Sequence, residues 1–318
     1  MADPVRWGVI GTANIAARSF LPALREAGGR AVVAGSRSAG RATAWAEENQ
    51  VESGGSYADV VAAALDAVYV ALPNEQHAEW AAAAATTARA VLCEKPLTLD
   101  ADATAALLAA AGPQTLLWES FVFPFHPQTE LLQSLIAAGD LGEPREIVSE
   151  FHFTVGRPDN IRLRPEHGGG ALYDVGCYPV RLARLLFGAE PVAASASALP
   201  GPTGVDLDTA GVLDFPSDKR LVFSAGLRRP YSTATRVVGT EGELRVGNPF
   251  HPQTTDTVEL WSGGALKQTW PAGEGTAFRH AVQHIHRVLR DGEAPRHLAT
   301  VDALPQARAI DLIRESLR

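Results

Sequence analysis

Val5–Ala16 reads VRWGVIGTANIA: an apolar run, a glycine, and then residues that open a helix-length segment, NIAARSFLPALREAG. A continuous apolar run of this length suits a strand buried on both faces, and a glycine at its end suits a sharp turn into a helix. The same grammar repeats outward from here. RAVVAGSR, AVYVAL, RAVLCEK and TLLWES alternate with RATAWAEEN, YADVVAAAL, EQHAEWAAAAATTA and DADATAALLAAAG, and Gly112-Pro113 closes the last of these helices. Apolar strands alternating with helices predict a parallel sheet covered on both faces with right-handed crossovers. The expectation is an α/β chain whose residues 1–120 form a doubly wound, Rossmann-type domain.

Beyond residue 120 the pattern changes. A helix over about Pro127–Ala138, ended by Gly139, leads into REIVSEFHFTV, which alternates like a strand with one wet face. A second helix is expected from near Gly169 to Phe187. VAASASAL, TAGVLDF, RLVFSAGLR, TRVVGTEGELRV and TVELW follow as strands, with a hairpin turn at Gly242. Two helices, over about Ala277–Arg290 and Val301–Leu317, finish the chain. Residues 121–318 are therefore expected to form an α+β domain with an open, mostly antiparallel sheet.

Composition narrows the partners. The 318 residues are 46% hydrophobic and 20% charged, with a formal net charge of −8. That balance is globular, and the negative charge argues against nucleic acid or an anionic membrane as partner. MADPVRWGVIG has neither the basic nor the apolar region of a secretory signal, and no apolar run is long enough to span a bilayer. Cys93 and Cys177 are too few for a disulfide framework. The expected compartment is the cytoplasm. His126, His152 and His167 lack ligand spacing, so no metal site is expected.

The turn GTANIA matches the dinucleotide pattern G-x-G-x-x-G loosely. Ala13 stands in the second glycine slot, where the backbone approaches the pyrophosphate, and Ala16 in the third, where small size lets helix and strand pack. Gly11, Ala13, Asn14 and Ile15 are the candidate cofactor contacts; a plain strand-to-helix turn reads equally well. The second strand ends in Ser36, Arg37 and Ser38, without the acidic residue that would hold a ribose diol. An arginine with hydroxyls suits the 2′-phosphate of NADP, with NAD as the alternative cofactor. A solvated arginine is the plainer reading. Leu72, Pro73 and Asn74 leave the third strand at its carboxyl edge, with Asn74 placed as a helix N-cap and His77 in the first turn. The fourth strand runs into Glu94, Lys95 and Pro96, a charged pair and a proline where pairing must stop.

These segments, together with FHPQTELLQSLIAAGDLGEPREI, GGGALYDVGCYPV and VVGTEGELRV, resemble the glucose–fructose oxidoreductase / inositol dehydrogenase / rhizopine-catabolism family of NAD(P)-dependent oxidoreductases over nearly the whole chain. The specific parts are the Glu-Lys-Pro triplet and the Gly-Gly-Gly-Ala-Leu-x-Asp-x-Gly-x-Tyr segment. The resemblance implies that Lys95, before a cis proline, lies beside the nicotinamide and the substrate hydroxyl. It also implies that Leu72, Pro73, Asn74, His77, Glu94 and Pro96 line the cofactor. Tyr178 would then work with Lys95 as the acid/base pair and Asp174 as the orienter. Asp174 and Tyr178 are four apart, on one face of a helix; taken alone, that spacing fits a surface hydrogen bond as well. Tyrosine at 178, where many relatives carry histidine, resembles the branch with dihydrodiol and xylose dehydrogenases.

The implied activity is NADP-dependent hydride transfer at a secondary alcohol or ketone of a sugar or polyol. DNIRLRPEHGGG and FVFPFHPQ also resemble reductases of nucleotide-linked 3-ketosugars, in which Arg162 and Arg164 would meet a diphosphate. Pro124 falls where many relatives have an arginine. Some relatives are NADP-responsive regulators without catalysis; the presence of both Lys95 and Tyr178 speaks for an enzyme. The open sheet has a face without helical cover, which relatives use to form a homodimer or homotetramer.

Overall fold

The computed structural model describes residues 3–112 and 115–317. They form two compact units, Met1–Val122 with Phe278–Leu304, and Phe123–Ala277 with Pro305–Arg318.

In the first unit, β1 (Arg6–Ile10), β2 (Arg30–Gly35), β3 (Ser53–Gly55), β4 (Ala67–Val70), β5 (Ala90–Cys93) and β6 (Leu116–Glu119) form one sheet in the order β3-β2-β1-β4-β5-β6. Among the described residues every pairing in it is parallel. Each of the apolar runs anticipated as a strand is one, and β4 and β5 are buried along their whole length. The helices between them are α1 (Leu21–Glu26), α2 (Ala39–Glu48), α3 (Tyr57–Ala62), α4 (His77–Ala85) and α5 (Ala101–Ala111). Strand β3 was not anticipated: Ser-Gly-Gly carries no apolar pattern, and what places it is its pairing with β2 and the close approach of Gly54 to the backbone of α2. Gly112 follows α5 as expected; Pro113 lies outside the described residues.

The segment Phe278–Leu304 packs with this sheet. Trp7 Nε1 donates to His286 Nε2 at 2.9 Å, so His286 must accept there, and its Nδ1 donates to the Ala27 carbonyl at 3.1 Å. Trp118 Nε1 donates to the Arg296 carbonyl at 2.7 Å, and Ala299 and Ala303 join the core of Val68, Val91 and Leu107.

In the second unit, α6 (Pro127–Ala138) ends at Gly139 in the left-handed conformation, as the sequence implied. Strands β7 (Pro144–Thr154), β8 (Ala193–Pro200), β9 (Asp206–Phe215), β10 (Lys219–Gly226), β11 (Arg228–Gly239), β12 (Glu243–Val246), β13 (Thr257–Ser262) and β14 (Ala265–Pro271) form a sheet in the order β14-β13-β12-β11-β7-β10-β9-β8. Only the β7–β10 pairing is parallel. The hairpin at Gly242 closes through the Gly239 N–H on the Gly242 carbonyl at 2.8 Å. In β7, Ile147, Ser149 and Phe151 are buried while Glu146, Val148 and Glu150 are half-exposed, the wet face its alternation required. α7 (Cys177–Phe187) is buried almost throughout. The remaining helices, α8 (Ala277–Asp291) and α9 (Ala299–Ser316), fall where the apolar pattern put them.

Candidate active site

Strands β2, β1, β4 and β5 are neighbours in the first sheet, so the loops leaving their carboxyl ends share one edge. That edge gathers Gly11, Ser36, Leu72–Asn74 and Glu94–Pro96. The chain passes from β1 outward to β2 and β3 on one side and to β4 on the other, so this edge is the switch point where such sheets take ligands. Gly11 has φ +109°, and a Cβ there would overlap the Ala71 carbonyl, so only glycine lets β1 and β4 end this close. Beyond it Asn14 and Ile15 are exposed, whereas Ala16 is fully buried, in keeping with the packing role of the third slot. The following π-turn, Ala16–Phe20, has no side-chain cap, and its Ala17 N–H donates to the Ala13 carbonyl at 3.3 Å. The tight glycine at 11 and the small buried residue at 16 are the features a dinucleotide loop asks for.

At the end of β2, Ser36 is buried and Arg37 and Arg41 are exposed. Ser38 caps α2, its hydroxyl accepting the Arg41 N–H at 3.4 Å. Burial pushes the Tyr57 hydroxyl above its ordinary value, while the charges of Arg37 and Arg41 and a bond from the Arg37 backbone pull it down. Both arginine charges are thus felt at this phenol. Arg41 and Tyr57 were missed in the sequence. Arg41, one helical turn beyond Arg37, was findable there; Tyr57 comes from another element and was not.

Asn74 is not the expected cap. It begins a 3₁₀ turn, Asn74–Gln76, preceded by Pro73, and α4 then starts behind Gln76 with no side-chain cap. Proline has no polar side chain to offer an amide, so the chain enters α4 through the tighter turn instead. His77 is completely buried; Nδ1 stands 2.7 Å from the Pro96 carbonyl and Nε2 2.8 Å from the Leu72 carbonyl. Two carbonyls invite two N–H donors, but burial outweighs them and holds the ring below its ordinary value, with the carbonyls and Glu94 opposing. The ring ties the loop after β4 to the loop after β5.

Around Lys95 the main chain is fixed at successive groups. Glu94 accepts the Tyr69 hydroxyl at 2.6 Å and the Lys95 N–H at 3.3 Å, His77 meets the Pro96 carbonyl, and Glu119 accepts the Leu97 N–H at 2.8 Å. The Lys95–Pro96 peptide is cis. Tyr69 in turn stacks on Phe20, ring centroids 4.1 Å apart. Nothing in the sequence marked Glu119 or Tyr69, because each reads as an ordinary strand residue. Cys93, fully buried beneath, is pushed well up by burial and by Glu94 and Glu119, and Cys177 is buried too; both are packing residues.

In the second unit, Gly168–Gly170 serve the chain itself. Gly169 and Gly170 donate to the carbonyls of Arg164 and Arg162 at 3.0 and 2.9 Å, and a Cβ on Gly169 would overlap both of those carbonyls. The helix carrying Asp174 and Tyr178 does not start as an α-helix. Leu172–Gly176 is a π-turn, whose extra residue widens the ring before α7. Asp174 is paired with Arg162, Nε to Oδ2 2.6 Å, and the guanidinium lies over Phe153. Arg162, expected to meet a diphosphate, is thus already balanced by a carboxylate. Tyr178 is 9% exposed, its ring 5.2 Å from Phe250, 5.3 Å from Phe151, 5.9 Å from His251 and 6.1 Å from Phe123. Phe250 and His251 belong to a loop stapled by Asn248, which accepts the His251 N–H at 3.3 Å and donates to its carbonyl at 2.6 Å. Pro124 is buried in a 3₁₀ turn, Phe123–Phe125. Among the described residues no three His, Cys, Asp or Glu side chains gather as metal ligands.

Two family models match this chain: an oxidoreductase family NAD-binding Rossmann fold over residues 5–118 and a GFO/IDH/MocA C-terminal domain over residues 129–245. The chain belongs to the GFO/IDH/MocA oxidoreductases. Among its relatives, the D-xylose 1-dehydrogenase (NADP(+)) 2 of Haloferax volcanii is 35% identical, over 98% of this chain and 96% of that one. A dTDP-3,4-didehydro-2,6-dideoxy-α-D-glucose 3-reductase of Saccharopolyspora spinosa is 36% identical, over 92% and 90%. The crystal structure of a 3-ketoreductase from Actinomadura kijaniata in complex with NADP and TDP-benzene superposes with a TM-score of 0.90 at 31% identity, covering 99% of this chain and 98% of that one. As a GFO/IDH/MocA member, the chain is an NAD(P)-dependent oxidoreductase.

Proposed function

We propose that the protein is an NADP-dependent oxidoreductase acting on a secondary alcohol or ketone of a sugar or polyol. The observation that carries the cofactor choice is the end of β2, where Ser36, Arg37 and Ser38 stand, with Arg41 close behind, in place of a carboxylate that would bind a ribose diol. Gly11, Ala13, Asn14 and Ile15 would hold the pyrophosphate, Ser36, Arg37 and Arg41 the 2′-phosphate, and Leu72, Pro73, Asn74 and Glu94–Pro96 the nicotinamide half. His77 acts behind them, through the two carbonyls it ties. The bound nicotinamide supplies or accepts the hydride. In the reducing direction Tyr178 donates a proton to the carbonyl oxygen as negative charge builds on it, and the Lys95 ammonium stabilises that charge. Asp174, held by Arg162, orients the substrate. The sugar-dehydrogenase relative supports the substrate class.

A second reading, reduction of a nucleotide-linked 3-ketosugar, is favoured by the dTDP-sugar reductase relatives and by the likeness to the 3-ketoreductase structure. The Arg162–Asp174 pair weighs against it, because a diphosphate would have to displace a carboxylate already 2.6 Å from the guanidinium. The half-exposed face of the second sheet is proposed as the surface of a homodimer or homotetramer, and the cytoplasm, where thiols stay reduced, as the compartment. No helix among the described residues is long and apolar enough to cross a membrane.

The deciding experiment titrates wild type and Arg37→Ala with NADPH and NADH, followed by protein-sensitised cofactor fluorescence. Selective loss of NADPH binding in the variant supports the reading; failure of the wild type to bind either cofactor ends it. D-xylose with NADP and a dTDP-3-ketosugar with NADPH then separate the two substrate classes.

A further inference from the structure

The helix that carries Tyr178 has no capping side chain of its own. The residue before its first turn is Gly170, and the amides that a cap would satisfy turn instead to Asp206, the first residue of β9. Asp206 Oδ2 accepts the Leu172 N–H at 2.7 Å and the Thr209 hydroxyl at 2.5 Å, and the Ala171 amide bonds the same carboxylate. Gly170 has φ +120°, and a Cβ there would overlap Asp206 Oδ1, so the glycine leaves the space that the carboxylate fills. Burial pushes the Asp206 carboxyl above its ordinary value, against the pull of the hydroxyl and the amides. Its negative end lies where a helix N-terminus favours an anion. β9 pairs with β8 and β10, and Asp206 at its head stands opposite Pro200 of β8, so the anchor sits on a sheet strand.

What this anchor holds is a register. The π-turn Leu172–Gly176 contains one residue more than an α-turn, with the Cys177 N–H reaching the Leu172 carbonyl. α7, directly after it, is fixed by burial on nearly every side. Closing the wide turn to the α pattern would therefore move Asp174 one position around the helix relative to Tyr178, about 100°. We infer that Asp206 is a positioning residue, which fixes the start of the wide turn through the amides of Ala171 and Leu172 and so sets Asp174 and Tyr178 in their working relation. This rests on the reading of Tyr178 as the proton donor.

The test compares Asp206→Ala and Asp206→Asn with wild type in NADPH binding, in kcat and KM for NADP-linked oxidation of D-xylose, and in amide exchange over residues 171–178. Asp206→Ala is expected to lower kcat roughly 10–100-fold, the scale of a small misplacement of a reacting group, with NADPH binding unchanged and exchange accelerated at 171–178. Asp206→Asn, whose amide oxygen still accepts the Leu172 N–H, should recover most of kcat. Unchanged kcat in Asp206→Ala overturns the inference, as does Asn performing no better than Ala. Loss of NADPH binding together with kcat overturns it as well, since that marks a general support of the fold. If wild type binds NADPH but oxidises no sugar, the functional reading falls, and the exchange data still decide whether Asp206 anchors the helix.

Discussion

Around Lys95 the polypeptide is held by its main chain: Glu94 takes the Lys95 N–H, His77 the Pro96 carbonyl and Glu119 the Leu97 N–H. Around Tyr178 the main chain is tied at the head of the helix by Asp206 and at the Cys177 carbonyl by Gln306 Nε2 at 3.0 Å, and the ring is set by packing against Phe123, Phe151 and Phe250. In the first region the loop has no register of its own, so fixing it takes a hydrogen bond at each group. In the second, a helix carries position from one residue to the next, so a few ties set the whole turn. The difference predicts that the lysine loop tolerates the loss of any one tie, whereas the tyrosine helix is sensitive to the loss of the anchor at its head.

The largest effects come from the reacting groups themselves. Lys95→Ala and Tyr178→Phe should each lower kcat by roughly 10²–10⁴-fold, the range for a positioned proton-transfer group, while NADPH still binds. Steady-state kinetics with a fluorescence titration checks both. A Lys95→Ala enzyme with near-normal kcat would mean that the ties around residues 94–97 hold the loop for cofactor binding alone, and the comparison would lose its first half.

Acid should act unequally on the two regions. His286 accepts from Trp7 and donates to the Ala27 carbonyl, an arrangement only a neutral ring can make, and burial lowers it from about 6.5 to about 4. The unfolded chain therefore binds this proton more tightly. The contribution is complete above pH 6.5, falls as the pH drops from 6.5 to 4, and totals about 3 kcal/mol. Asp206 is shifted the other way, so acidification through its raised value favours its folded form. Amide exchange at pH 7 and pH 5 should show β1 and α8 opening more readily at pH 5, with residues 171–187 changed far less. Uniform acceleration across both units would show that the histidine is not the weak point.

Much of this was legible in the sequence because it follows from local pattern. The alternation of apolar runs and helices gave the first sheet, Gly139 marked the end of α6, and Gly242 marked the hairpin. What could not be read depends on distant pairing. Trp7 and His286 meet from opposite ends of the chain, and neither residue advertises the other. β14 has the polar, exposed sequence Ala-Leu-Lys-Gln-Thr-Trp-Pro and is a strand only because β13 offers it an edge. In the candidate site, Lys95, Asp174 and Tyr178 were visible as motif residues. The groups that hold them, Glu119, Tyr69 and Asp206, were not, since a carboxylate bonding a backbone amide has no spacing to betray it. The Gly-Gly-Gly run was visible as part of a motif, but not what two of its glycines make room for: Gly169 for the backbone of residues 162–164, and Gly170 for Asp206.

A smaller effect tests the lysine loop directly. Glu119→Leu leaves the buried Leu97 N–H without its carboxylate, which costs about 2 kcal/mol, and Glu119→Gln keeps an acceptor and should cost under about 1 kcal/mol. Urea unfolding gives the energies. Because His77 and Glu94 still hold their groups, kcat in Glu119→Leu should fall no more than about tenfold, less than in Asp206→Ala. Should Glu119→Leu prove the more damaging of the two, the loop depends on one tie after all.

The smallest effect expected is at the cofactor's outer phosphate. Arg41 is exposed, so its attraction for a phosphate is weakened by water and salt, and Arg41→Ala should weaken NADPH binding by about 1 kcal/mol, roughly fivefold, with NADH unaffected. Its value lies in combination with Arg37→Ala. Both arginine charges lower the Tyr57 hydroxyl, so both bear on the region beyond β2. If a single phosphate occupies that region, the two losses will not add: each guanidinium alone would hold the phosphate differently once its partner is gone. Strict additivity would instead mean that the arginines act on the ligand separately, and that only Arg37 marks the 2′-phosphate.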